Sequence, residues 1–197
     1  MNKKILALSG SLLVMALPGI AAAHPGHEAG ASFAAGTLHP VAGIDHLCAL
    51  IAVGMLAGRM GTRAGMCIAL TFLVLMSVGV ASGFARVELP LVQAAIGASI
   101  ICVSLLALRP PRNLPVATSA LAGLFAIFHG HSHGAEAVAG TAPLAYAAGL
   151  LIASAAVIVC GMLLANAVTS LKTNRAPRRP PTSAADATPV FRPSAWR

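Results

Sequence analysis

The chain has 197 residues, 57% of them hydrophobic and only 9% charged, against about 25% charged in ordinary soluble domains. Together with a mean hydropathy of +0.84, this excludes an ordinary water-soluble domain and makes lipid the relevant solvent. A formal charge of +8 would suggest nucleic acid in a soluble chain. Here the basic residues sit in short loops and a tail, without interleaved aromatics, so a membrane topology accounts for them and nucleic acid is not an expected partner.

Residues 1–23 read as a signal peptide: Lys3 and Lys4, then the apolar ILALSGSLLVMALPGI, then Ala21-Ala22-Ala23 before the cut. An uncleaved first helix is the alternative. Residues 24–37 form a short periplasmic segment. Five apolar stretches follow, at about 38–58, 64–82, 89–108, 114–131 and 143–166, each near the roughly 20 residues that a bilayer needs. Continuous apolar runs cannot alternate as barrel strands must. The expected fold is therefore all-α, a polytopic transmembrane helix bundle of five spans within residues 38–170.

Arg59 and Arg63, Arg109 and Arg112, and the Lys172–Arg179 region fall on one side of this topology, and only Arg86 on the other. Basic loops favour the cytoplasm. The chain is therefore expected in the bacterial inner membrane, with its mature N-terminus periplasmic and its C-terminus cytoplasmic. Residues 171–197, rich in Pro and Arg, read as a disordered basic tail. Arg86 and Glu88 read as a solvated loop pair. Gly54 with Gly58, and Gly79 with Gly83, give G-x-x-x-G pairs for close helix packing. The four cysteines form no C-x-x-C pair and read as small buried hydrophobes.

Polar residues at membrane depth carry the functional signal. In HPVAGIDH, His39, Asp45 and His46 lie near the start of the first span. Positions seven apart nearly share a helix face, so His39 and His46 are expected two turns apart, with Gly43 between them leaving room for an ion or a close neighbour. Pro40 suits a first helical turn. Asp45, costly at depth by roughly 2.5–3.5 kcal/mol, would ligate or bond a histidine on another helix. In FAIFHGHSHGAEA, His129, His133 and Glu136 follow an i, i+4, i+7 stripe if the helix continues, with His131 beside them. Gly130 and Gly134 argue for local breaks. Topology puts both clusters on one side of the bilayer. Imidazoles with carboxylates suit nickel, cobalt, zinc or copper(II). His24 and His27 offer weaker periplasmic capture. The competing structural reading makes a single membrane histidine a helix–helix hydrogen-bond donor, and Ser99 a packing or backbone-satisfying residue.

HPVAGIDHLCALIAVG resembles the H-P-x-x-G-x-D-H signature of the HupE/UreJ family, and FAIFHGHSHGAE its F-H-G-x-x-H-G-x-E motif. The ending AHPGH of the signal and the stretch LAYAAG are similar too, and the resemblance runs to about residue 165. It implies secondary transport of nickel or cobalt for metalloenzyme maturation, with His39, Asp45, His46, His129, His133 and Glu136 at the motif positions. It implies a metal as cargo, no tightly bound cofactor and no enzyme activity. Family members generally have six helices after the signal, so a homo-oligomer or accessory subunit is the candidate source of a sixth. Two rival readings are a membrane-embedded zinc enzyme, for which no H-E-x-x-H arrangement occurs, and a non-transporting periplasmic metal-binding or chaperone subunit.

Overall fold

The computed structural model describes residues 32–137 and 142–174. The signal segment, His24, His27 and the chain beyond residue 174 lie outside the described residues. Six helices and no strands occur among those described: α1 (Phe33–Ala42), α2 (Ile44–Met60), α3 (Thr62–Phe84), α4 (Val92–Leu108), α5 (Pro115–Glu136) and α6 (Pro143–Asn174). Thr62–Phe84 and Pro143–Leu171 are each long and apolar enough to cross a membrane, and α1 with α2 passes the same test as a pair bent by 84°. Val92–Leu108 is a shorter apolar helix. In α5 the polar Thr118, Ser119, Ser132, Glu136 and three histidines dilute the apolar character of 22 residues.

The first apolar stretch is thus not one continuous helix. It breaks at Gly43, whose φ of −94° and ψ of 117° are extended. Two local features set the break. Pro40 lies inside α1, not in its first turn, and has no N–H to donate back along the helix. The extended Gly43 then ends one helix and precedes the next. On the far side of α3, α4 starts at Val92 rather than near residue 89 because Leu91 is in the left-handed region, with φ 60°, directly after Pro90. α6 continues to Asn174, past the point where the tail was expected to begin.

Exposed apolar side chains cover the outside of the bundle. On α3, Met66, Leu70, Val74 and Val78 are all half exposed or more and recur every four residues, as a stripe facing lipid would. The inside is built of small residues and tightly packed hydrophobes, including Leu50, Leu56, Ile68, Phe72, Met76, Leu150 and Ile158. Gly54 of α2 packs on the Ile158 backbone of α6, and Gly58 on that of Met162. At one end, the Arg112 Nε donates to the Arg59 carbonyl at 3.1 Å, tying the α4–α5 loop to the end of α2. The histidines lie at the opposite end.

Candidate metal centre

The bend at Gly43 delivers the first cluster. His39 sits in the last turn of α1, while Asp45 and His46 occupy the first turn of α2, where an acidic side chain suits the helix dipole. His39 and His46 therefore do not share a face of one helix. They approach a common point from two helices that meet at a steep angle. Gly43 also differs from the packing role expected for it. A Cβ there would meet side chains, with Asp45 Oδ1 at 3.0 Å and His46 Nδ1 at 3.2 Å, rather than a neighbouring helix backbone.

α5 supplies the second cluster. It stays helical through Gly130 and Gly134 to Glu136, so neither glycine breaks it. Both serve close packing against α3. A Cβ on Gly130 would strike the Met76 carbonyl oxygen and lie 2.9 Å from the Val80 nitrogen; one on Gly134 would strike the Val80 carbonyl oxygen. From α3, Gly79 faces the Ile127 carbonyl, and Gly83 faces the Ala135 nitrogen at 2.6 Å and the Gly134 carbonyl carbon at 2.8 Å. This four-glycine contact sets the height and rotation of α5, and with them the stripe of His129, His133 and Glu136.

Four imidazoles meet between α1, α2 and α5. The His46 ring centroid is 4.4 Å from that of His133 and 5.3 Å from that of His129, and His39 is 4.8 Å from His133. One ligand atom each from His39, His133 and Glu136 lie within 4.8 Å of one another. Metal–nitrogen and metal–oxygen bonds of about 2.0–2.2 Å would draw this trio together by only a small side-chain adjustment. His129 and His133 are buried, at 2% and 1% exposure, whereas the carboxylates of Asp45 and Glu136 are about half exposed, at 49% and 48%. The cluster therefore runs from an accessible acidic rim to a buried imidazole interior.

Hydrogen bonds assign the nitrogens. His46 Nδ1 donates to Asp45 Oδ1 at 3.1 Å, so its Nε2 carries the lone pair. That Nε2 is buried and has no hydrogen-bond partner, as is His133 Nδ1. His39 Nε2 donates to Glu136 Oε2 at 3.2 Å, and Ser132 Oγ donates to Glu136 Oε1 at 2.7 Å. An imidazole held by a carboxylate through one nitrogen and open at the other is the usual arrangement of a metal-ligating histidine. Unpartnered buried nitrogens are costly, and a bound cation is one way to satisfy such a lone pair. The donor set of imidazoles and carboxylates fits a borderline divalent transition metal.

Three residues depart from their expected places. His131 points away from the cluster, and its Nδ1 lies 2.9 Å from Ser82 Oγ on α3. Its position two residues from both His129 and His133 puts it on the other side of the helix. Asp45 bonds its own neighbour His46, not a histidine of another helix. Arg86 donates to the Ala135 carbonyl at 2.9 Å rather than pairing with Glu88. Three residues contribute to the site in ways the sequence did not show, Ser99 among them although its backbone bond to Ile96 fits the role expected of it. Ser132 was detectable as the i−4 neighbour of Glu136. Ser99, 2.9 Å from His129 Nε2, and Tyr146, whose ring centroid is 5.8 Å from that of His39, carry no local signal because both come from other helices.

Comparison with known proteins agrees with these motifs. The family model described as HupE / UreJ protein matches residues 12–183. Protein HupE of Rhizobium leguminosarum bv. viciae is 35% identical over 164 residues, covering 83% of this chain and 85% of that protein. No solved structure matches the chain. The chain belongs to the HupE/UreJ family.

Proposed function

We propose that this protein is a secondary permease that takes up a divalent transition metal, nickel or cobalt, across the bacterial inner membrane for metalloenzyme maturation. The observation that carries the reading is the pair of buried nitrogens without partners, His46 Nε2 and His133 Nδ1, inside a four-imidazole cluster with carboxylates at its rim. Membership of the family supports it. On this reading α1 and α2 form one broken span and α3 to α6 four more, in a lipid bilayer. The basic end, with Arg59 and Arg112, faces the cytoplasm, and the histidine end faces the periplasm.

Stripping water from a small divalent ion is the hard step of such transport. Glu136 and Asp45 attract the ion and offset its charge at the half-exposed rim. His39 and His133 then replace its first waters, and His46 and His129 take it deeper. A discontinuous helix at the site fits the general pattern of transporters, whose binding residues cluster where spans are interrupted. Binding must also be weak enough to permit release, so the metal is cargo and not a resident cofactor.

Uptake of radioactive nickel or cobalt by cells tests the proposal. Cells producing the protein should accumulate metal, and His46→Ala should abolish the gain at equal expression. Uptake that survives His46→Ala at normal abundance would refute the assignment.

A further inference from the structure

Ser99 lies on α4, outside both histidine motifs, and is 2% exposed. Its Oγ is 2.6 Å from the Ile96 carbonyl oxygen and 2.9 Å from His129 Nε2. A hydroxyl has one proton to give, and a carbonyl can only accept. An O···O approach of 2.6 Å is a hydrogen bond and needs that proton between the two oxygens. The proton is therefore committed to Ile96. What Ser99 presents to His129 is a lone pair, so His129 Nε2 must itself be the donor. A neutral imidazole has a single N–H, which leaves the lone pair of His129 on Nδ1.

We infer that Ser99 is a positioning residue that holds His129 as its Nε2–H tautomer and thereby reserves Nδ1 as the ligating nitrogen. The inference rests on the metal reading given above for the ligating half, but the tautomer assignment stands on the hydrogen bonds alone. Asp45 does the same for His46 in the opposite sense, fixing Nδ1–H and freeing Nε2. A carboxylate at the half-exposed rim and a neutral hydroxyl in the buried interior thus perform one task. The hydroxyl suits the interior because it fixes a tautomer without burying a second charge. Removing Ser99 leaves the buried His129 N–H without its acceptor and frees the ring to exchange tautomers.

The test uses the full chain in nanodiscs with ¹⁵N-labelled histidine. Long-range ¹⁵N–¹H correlation spectra identify the protonated nitrogen, and loss of the signals in His129→Gln assigns them. The expected result is a single Nε2–H form in the unmodified protein. Ser99→Ala should give mixed tautomers and a nickel affinity 10–100-fold lower, the usual loss for a partner that orients a ligand. Ser99→Thr, which keeps the hydroxyl, should restore both. An Nδ1–H form of His129 in the unmodified protein would overturn the inference, as would Ser99→Ala with unchanged tautomer and affinity. Should Ser99→Ala fail to fold, the unmodified spectrum and Ser99→Thr still decide the assignment. If the unmodified protein binds no nickel by calorimetry, the metal reading falls, while a Ser99-dependent Nε2–H signal would still establish the tautomer control.

Discussion

Substituting Gly130 by alanine tests whether the α3–α5 contact sets the site. The new methyl would enter the Met76 carbonyl oxygen and lie 2.9 Å from both the Met76 carbonyl carbon and the Val80 nitrogen. Carbon–oxygen contacts settle at about 3.3–3.6 Å, and the obstruction is backbone, so no rotamer change relieves it. The helices must part by roughly 1 Å at this point, and overpacking of this kind costs about 1–3 kcal/mol. His129 and His133 flank the substituted residue on the helix that moves, whereas His46 stays with α2. Metal–ligand bonds are held to about 2.0–2.2 Å, so binding should suffer as well as folding. The expected outcome is a folded protein of lower thermal stability, with nickel affinity by calorimetry at least about 10-fold weaker, in the range seen for disturbed ligand support. Val116→Ala, at a position 82% exposed on the same helix, should change neither. A Gly130→Ala protein with the original stability and affinity would refute the claim that this glycine contact positions the imidazoles.

Other expectations follow from the same geometry. Asp45→Asn keeps a hydrogen-bonding side chain beside His46 but removes the charge, and should weaken nickel binding by about 10–100-fold with little loss of stability. His131→Ala should leave nickel affinity within about threefold, below the loss expected of a supporting group, because that ring faces Ser82; calorimetry on the folded variant decides it. Gly43→Ala is permitted by the backbone, at φ −94°, yet its methyl would press on Asp45 Oδ1 and His46 Nδ1. Thermal stability should hold while metal affinity drops, and a loss of folding instead would show that Gly43 has a backbone role.

Much of this architecture was legible in the sequence because long apolar runs are bounded by Arg, Pro and Gly. The expected 64–82 and 114–131 stretches correspond to α3 and α5, each longer in the structure because helices continue past the apolar core into polar turns. The stripe of His129, His133 and Glu136 was readable because helical periodicity fixes it locally. The bend at Gly43 was not, since Pro40 reads equally well as a first-turn residue and the direction of the bend depends on how α1 packs on α6. There Gly36 meets the Tyr146 carbonyl and Gly149 the Phe33 carbonyl. For the same reason Gly130 and Gly134 read as helix breakers, although their lack of side chains serves the neighbouring helix. The partnership of Ser99 with His129 joins residues 30 apart in the chain, and no local pattern announces it.

The most direct test of the central claim is metal flux through the purified protein in sealed proteoliposomes, followed with an internal nickel- or cobalt-sensitive dye. The account predicts saturable entry that is lost in His133→Ala and in His46→Ala, and retained in His131→Ala. Nickel binding without any flux would contradict it and make the histidine cluster a metal-holding site on a protein that does not transport.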